Sequence, residues 1–159
     1  MMKRRGAAAL LISLALAAAL APAAGEAKRF AIACAGTLNI DERALGGLPR
    51  TETQKADQVF VIDEEARRVA HLLTGPPAKL EDMCVSRDAA CYSAFSDTLI
   101  VADTGKFAMG ALTGSQSFRY DRAANHVDMM VAMERPDHRT LRMTFSMMCQ
   151  PTGVPDLGY

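Results

Sequence analysis

Val59-Phe60-Val61-Ile62-Asp63 and Ser117-Phe118-Arg119-Tyr120-Asp121 decide how this sequence is read, because each run leads into a few polar residues and then a second apolar run. Phe60, Asp63, Ala66 and Val69 recur as Phe118, Asp121, Ala124 and Val127, each 58 positions later (60 and 118, 63 and 121, 66 and 124, 69 and 127). Apolar residues at every second position mark a half-buried strand. A carboxylate at the start of a turn can accept a hydrogen bond from the backbone two residues on. Each copy therefore reads as a β-hairpin. The competing reading is a helix over 64–73, where Glu64-Glu65-Ala66-Arg67-Arg68 has good helix propensity and charges that could pair at i,i+4. The second copy carries Asn125-His126 and then an alternating run at the same place, so equal spacing favours two hairpins.

A third hairpin is expected to turn at Asp103-Thr104-Gly105, joining 98–102 to 106–112, and a fourth at Arg135-Pro136-Asp137-His138. Segments 44–53 and 75–90 contain Gly, Pro and scattered charges without period and read as loops or short helical turns, which are common places for a site. Short strands at this spacing predict an all-β fold, an antiparallel meander forming a small barrel or sandwich. The expected core holds Phe60, Ile62, Val69, Phe118, Tyr120, Val127, Met129, Met143 and Phe145.

Four cysteines, Cys34, Cys84, Cys91 and Cys149, allow three disulfide pairings. Phe30, Ile32 and Cys34 share one face of the first mature strand, and Leu141, Met143, Phe145, Met147 and Cys149 share one face of the last. Both terminal cysteines then point inward, which predicts Cys34 with Cys149 and leaves Cys84 with Cys91. A metal site is the rival reading, but no Cys-x-x-Cys or paired-His spacing accompanies these thiols.

The N-terminus carries Lys3-Arg4-Arg5, then a charge-free Ala/Leu-rich run from Ala7 to Ala21, then Pro22 and small residues. That is the order of a secretory signal peptide, and the run is shorter than the roughly 20 residues that span a bilayer. The expectation is a signal over 1–27, a mature start between Ala24 and Lys28, and one soluble domain over 28–159 without stable membrane insertion. Signal removal would deliver the chain to the periplasm or outside the cell, where disulfides form. With cleavage after Ala27 the mature chain keeps 15 basic and 17 acidic residues, 18 minus 3 and 18 minus 1, a net charge of −2. Such a chain has no basic cluster or aromatic platform for nucleic acid.

Candidate chemistry is sparse. Met129, Met130, Met133, Met143, Met147 and Met148 crowd the C-terminal hairpin, and thioethers can hold copper(I). Strand alternation puts Met129, Met133, Met143 and Met147 on core faces instead, where Met is a good filler of irregular space. His138 falls in a turn, His126 follows one, and His71 aligns with Met129 on an inward face. No Gly-x-Ser-x-Gly, His-Glu-x-x-His, phosphate loop or EF-hand is present. Asp63, Glu64, Glu65, Glu81, Asp82, Asp97 and Asp128 form no distinguished pair, and turn roles account for Asp63, Asp103 and Asp121.

The hairpin echo at Phe60/Asp63 and Phe118/Asp121, closed by Cys34 and Cys149, resembles small exported bacterial β-proteins of unknown function. That resemblance implies a disulfide-closed β-domain and carries no site residues. Periplasmic lysozyme inhibitors share the general plan. Thr113-Gly114-Ser115 resembles their Ser-Gly inhibitory loop only distantly, without the Tyr that follows it there at its usual spacing. The expected function is a non-catalytic binding or accessory protein of the cell envelope, without a cofactor, whose partner is a small molecule or an envelope protein. An enzyme inhibitor and a small hydrolase are the alternatives. An inhibitor would present a protruding loop, with 110–117 as its tip; a binding module would hold a cavity inside the sheet; a hydrolase would gather His with carboxylates.

Overall fold

The computed structural model describes residues 29–84 and 91–156. The expected signal peptide, its cleavage site and residues 85–90 of the expected 75–90 loop lie outside them. Nine strands follow in order: β1 Arg29–Arg43, β2 Arg50–Asp63, β3 Arg68–Leu73, β4 Lys79–Asp82, β5 Tyr92–Phe95, β6 Leu99–Met109, β7 Leu112–Asp121, β8 His126–Glu134 and β9 Thr140–Thr152. All pairs are antiparallel, in one sheet of order β4-β3-β2-β1-β9-β8-β7-β6-β5, which curls into a half-barrel. No helix occurs among the described residues.

The echoed hairpins form as expected, and 64–73 is hairpin rather than helix. Asp63↔Arg68 closes the β2–β3 turn and Asp121↔His126 the β7–β8 turn. Asp63 Oδ1 accepts from Ala66 N at 2.8 Å and Asp121 Oδ1 from Ala124 N at 2.9 Å, three residues on rather than two. The fourth turn residue is left-handed in both, Arg67 at φ 52° and Asn125 at φ 50°. One αL residue there lets the second strand leave with the right-handed twist of a hairpin.

The repeat is larger than the hairpin. Arg29↔Asp63 begins the β1–β2 ladder and Leu99↔Asp121 the β6–β7 ladder, while Val69 and Val127 each face a buried methionine, Met83 and Met147. The strands β1-β2-β3-β4 thus correspond to β6-β7-β8-β9. Two four-stranded meanders lie side by side, joined where β1 pairs β9. Curling brings equivalent residues together: the Phe60 and Phe118 rings are 4.9 Å apart, and Glu64 pairs with Arg122.

All nine residues expected in the core line its cluster, eight of them buried and Met143 half-buried. Cys34–Cys149 is a directly paired couple across the β1–β9 joint, Cα atoms 4.0 Å apart. Cys84–Cys91 joins the chain just after β4 to the chain just before β5, the two edge strands, so it ties together the free edges of the half-barrel. Ser93 Oγ adds a hydrogen bond from β5 to Arg67 O at 3.2 Å.

Two expectations fail. Asp103-Thr104-Gly105 is not a hairpin turn: β6 runs through it, with a register shift between Asp103 and Lys106. Thr104 is 4% exposed, and its Oγ1 accepts from Gln116 N at 2.8 Å and donates to Gln116 O at 3.2 Å. The hydroxyl takes the place of the ladder bonds, while Gly105 at φ 59° absorbs the extra residue, as in a β-bulge. The true turn is Gly110-Ala111, between the paired Met109 and Leu112, with Gly110 at φ 63°. The glycine stands first in a two-residue loop, the position where hairpin turns of the II′ kind need it.

The loop expected over 44–53 is also shorter, because β2 begins at Arg50. Thr51 and Thr53 are exposed, yet their hydroxyls bond Asp41 Oδ1 and Asn39 Oδ1 across the ladder, both at 2.8 Å. Polar cross-strand pairs extend a strand beyond its hydrophobic run. Within 75–90, Lys79–Asp82 forms the edge strand β4.

Candidate functional site

Thr113, Gly114 and Ser115 sit in β7, hydrogen-bonded between β6 and β8, and form no protruding loop. They line a hollow of about 760 Å³ at the end of the sheet away from the echoed turns. Two cross-strand rows build it. Lys106, Ser115, Ala132, Arg142 and Asp41 are successive partners across β6, β7, β8, β9 and β1, and Ala108, Thr113, Glu134, Thr140 and Arg43 form the next row on the same face. Core residues such as Phe118, Met129 and Phe145 occupy the alternate positions, so both rows belong to the outward face. Phe107, Gly114, Met133 and Leu141, the row between, complete the lining.

The residue sizes explain why there is a hollow. Ser115 and Ala132 are short at the centre of their row, and long Lys106 and Arg142 stand at its sides. Two strands, β7 and β8, lie between those two cations, so their backbones are three strand spacings apart, about 14 Å. Beneath this floor Gly114 has no room for a methyl: a Cβ would sit 2.8 Å from the Phe107 ring and 2.9 Å from Ala132 O. Phe107 lies over its glycine partner from the core side and covers the bare backbone.

The polar groups of the hollow are unevenly committed. Glu134 Oε1 lies 3.8 Å from His138 Nδ1, and Asp41 accepts from Thr51. Among the described residues, no side-chain hydrogen bond or ion pair engages Arg43, Lys106, Arg142, Thr113 or Ser115. Among the described residues the three cations have no ion-pair partner, while each carboxylate has a polar neighbour.

The other sequence candidates are dispersed. His71 pairs Phe60 in register, just as Met129 pairs Phe118, and its ring lies 5.4 Å from that of Phe60. Burial lowers its pKa below the usual imidazole value, partly offset by the Glu81 carboxylate. It is a core-lining histidine. His126 opens β8 with Nε2 3.0 Å from Ser146 Oγ, and His138 occupies the β8–β9 turn at φ 59°. Asp63 and Asp121 serve their turns, Asp82 pairs with Arg68, and Asp103 accepts from Gly105 N at 2.7 Å. Met129 and Met147 are buried, Met133 and Met143 half-buried, and Met148 is 60% exposed. Among the described residues no group of three or more His, Cys, Asp or Glu is placed to hold a metal ion.

Sequence reasoning singled out Thr113, Gly114 and Ser115 but missed Arg43, Lys106, Ala132 and Arg142. Their signal was the long-short-short-long order of one row, which is visible only once the register of five strands is known. Comparison with protein families, with curated proteins and with solved structures finds no match to this chain.

Proposed function

We propose that this protein is a non-catalytic binding module of the periplasm or the extracellular space, and that the outward hollow between β6 and β1 is its ligand site. The observation that carries this reading is the hollow itself: a recess with a mixed polar and apolar lining on the outward face of a hydrogen-bonded sheet, whose side chains include Lys106, Arg43 and Arg142 without an ion-pair partner among the described residues. The two disulfides fit an oxidising, extracytoplasmic setting. The signal-peptide pattern of residues 1–27 supports export to it. A cavity inside the sheet was the form expected of a binding module; Phe60, Phe118, Ile62, Val127 and Met147 are buried on the inner face, and the hollow lies on the outer one. The inhibitor reading loses its protruding loop, because 112–117 is strand. Carboxylates held in turns and a core-lining His71 give no support to a hydrolase.

The test is capture from the native compartment. Wild-type protein and an Ala132→Trp variant, which fills the hollow from its centre, are purified in parallel and their bound small molecules compared by mass spectrometry. A compound enriched with the wild type and lost from the variant is the expected result. Identical profiles would sink the assignment of the hollow.

A further inference from the structure

We infer that the hollow takes a small organic anion, a carboxylate or phosphate compound, held between Lys106 on one wall and Arg142 with Arg43 on the other. This deepens the reading of the hollow as a ligand site and rests on it. Three cations and two carboxylates line the space, so net charge alone is a weak argument. The pattern of commitment is a strong one. Asp41 Oδ1 accepts one hydrogen bond, from Thr51 Oγ1 at 2.8 Å, and Glu134 Oε1 lies 3.8 Å from His138 Nδ1, so each carboxylate has a polar neighbour while keeping acceptor sites open. Lys106, Arg43 and Arg142 have no ion-pair partner among the described residues.

The hydroxyls of Thr113 and Ser115 stand between the cationic walls and also lack a side-chain hydrogen bond. A guanidinium offers a planar fork of N–H donors that matches carboxylate or phosphate oxygens, and an ammonium adds a compact charge from the opposite side. The strands supply the spacing. Lys106 and Arg142 share a cross-strand row with only Ser115 and Ala132 between them, so two long flexible side chains flank a floor of short ones. A compact anion fills that gap and satisfies donors from both walls. A neutral sugar would leave the charges unmatched, and a polycation would be repelled.

The experiment titrates the full chain, expressed into an oxidising compartment, with citrate, inorganic pyrophosphate and spermidine, and follows binding by calorimetry and by backbone amide shifts. Saturable binding of citrate or pyrophosphate, with shifts centred on Thr113, Ser115 and Ala132, is the expected result, and the stronger of the two distinguishes carboxylate from phosphate. Lys106→Gln with Arg142→Gln should weaken binding at least tenfold, and added salt should weaken it progressively. Arg29→Gln, at the opposite end of β1, should leave affinity unchanged. All these side chains lie on exposed or half-exposed surface, and an unchanged thermal midpoint verifies the fold of each variant.

Binding of spermidine but neither anion, or anion binding indifferent to the Lys106/Arg142 exchange, would overturn the inference. A captured natural compound that is neutral or cationic, and that Ala132→Trp displaces, would also overturn it while leaving the binding-site assignment standing.

Discussion

At the echoed turns, the two four-stranded copies use the same parts: Asp63 or Asp121 caps an alanine N–H, and Arg67 or Asn125 takes the left-handed position. At the opposite end they differ in almost everything. β1 and β2 stay in register from Arg29↔Asp63 to Glu42↔Arg50 and are joined by the loop 44–49, whereas β6 and β7 shift at a bulge and close in a two-residue turn. Gly36↔Ala56 in the first copy corresponds to Phe107↔Gly114 in the second, because Ala56 and Gly114 are again 58 positions apart. The echoed turns stand next to Phe60 and Phe118, where a change of backbone would move the core. The opposite ends reach past the core, so they are free to diverge, and the second copy with β1 and β9 has made its hollow there.

The largest effect that can sharpen this comparison lies at the joints between the copies. In the chain-entropy view, Cys34–Cys149, with a separation of 115 residues, stabilises by about 4.8 kcal/mol, and Cys84–Cys91, with a separation of 7, by about 2.4 kcal/mol. Replacing each pair with Ser and comparing urea midpoints should therefore give the larger drop for Cys34–Cys149. Because Cys84–Cys91 also ties the sheet edges, its loss should raise amide exchange in β4 and β5. Equal midpoints would show that the edge tie matters as much as loop length.

The equivalence of the two core phenylalanines can be broken next. Phe60→Ala and Phe118→Ala should each cost about 4 kcal/mol, since both are essentially fully buried. The rings touch, so the double variant should depart from the sum by about 0.5–3 kcal/mol. Strict additivity by denaturant unfolding would mean that the copies pack independently.

The turns should show smaller and matching losses. Asp63→Ala and Asp121→Ala each remove one carboxylate-to-amide hydrogen bond and should cost about 1 kcal/mol apiece. A several-fold difference between the two midpoint shifts would show that the turns are alike in geometry only.

The smallest expected difference is a pH dependence confined to the first copy, where His71 stands in the place of Met129. The imidazole is harder to protonate in the native state than in the unfolded chain, so below the ordinary histidine pKa of about 6.5 the unfolded chain binds the extra proton. Stability should hold above that pH and decline as pH falls through it toward the lower native value. His71→Met should flatten this part of the stability-pH curve, and an unchanged slope would assign the decline to other groups.

Much of this architecture was legible in the residues. The alternation around Phe60 and Phe118 exposed the core faces, the recurring Asp marked two turns, and the inward parity of Cys34 and Cys149 selected the correct disulfides. The bulge at Asp103-Thr104-Gly105 was misread because Asp and Gly serve a bulge by the same means as a turn: a side-chain acceptor for a nearby N–H and a residue tolerant of positive φ. The extent of the duplication was hidden too, since the unequal connections and the bulge set β1 and β6 70 or 71 positions apart (29 and 99, 36 and 107), out of step with the 58 of the echoed hairpins. Thr113-Gly114-Ser115 reads as a loop because Gly and two small polar residues are common in turns, but pairing on both sides makes it strand.

The sequence by itself determined the core faces around Phe60, Phe118, Met129 and Phe145 and where four of the turns or bends lie, since side-chain alternation and turn chemistry are local properties. It also narrowed the disulfides, because strand parity is local. Only the tertiary structure decided that β1 lies beside β9, that the short disulfide joins the two sheet edges, and that Arg43, Lys106, Ser115, Ala132 and Arg142 share one surface. These depend on the register of strands distant in the chain and on the curl of the sheet, which are settled by how two sets of core side chains pack against each other.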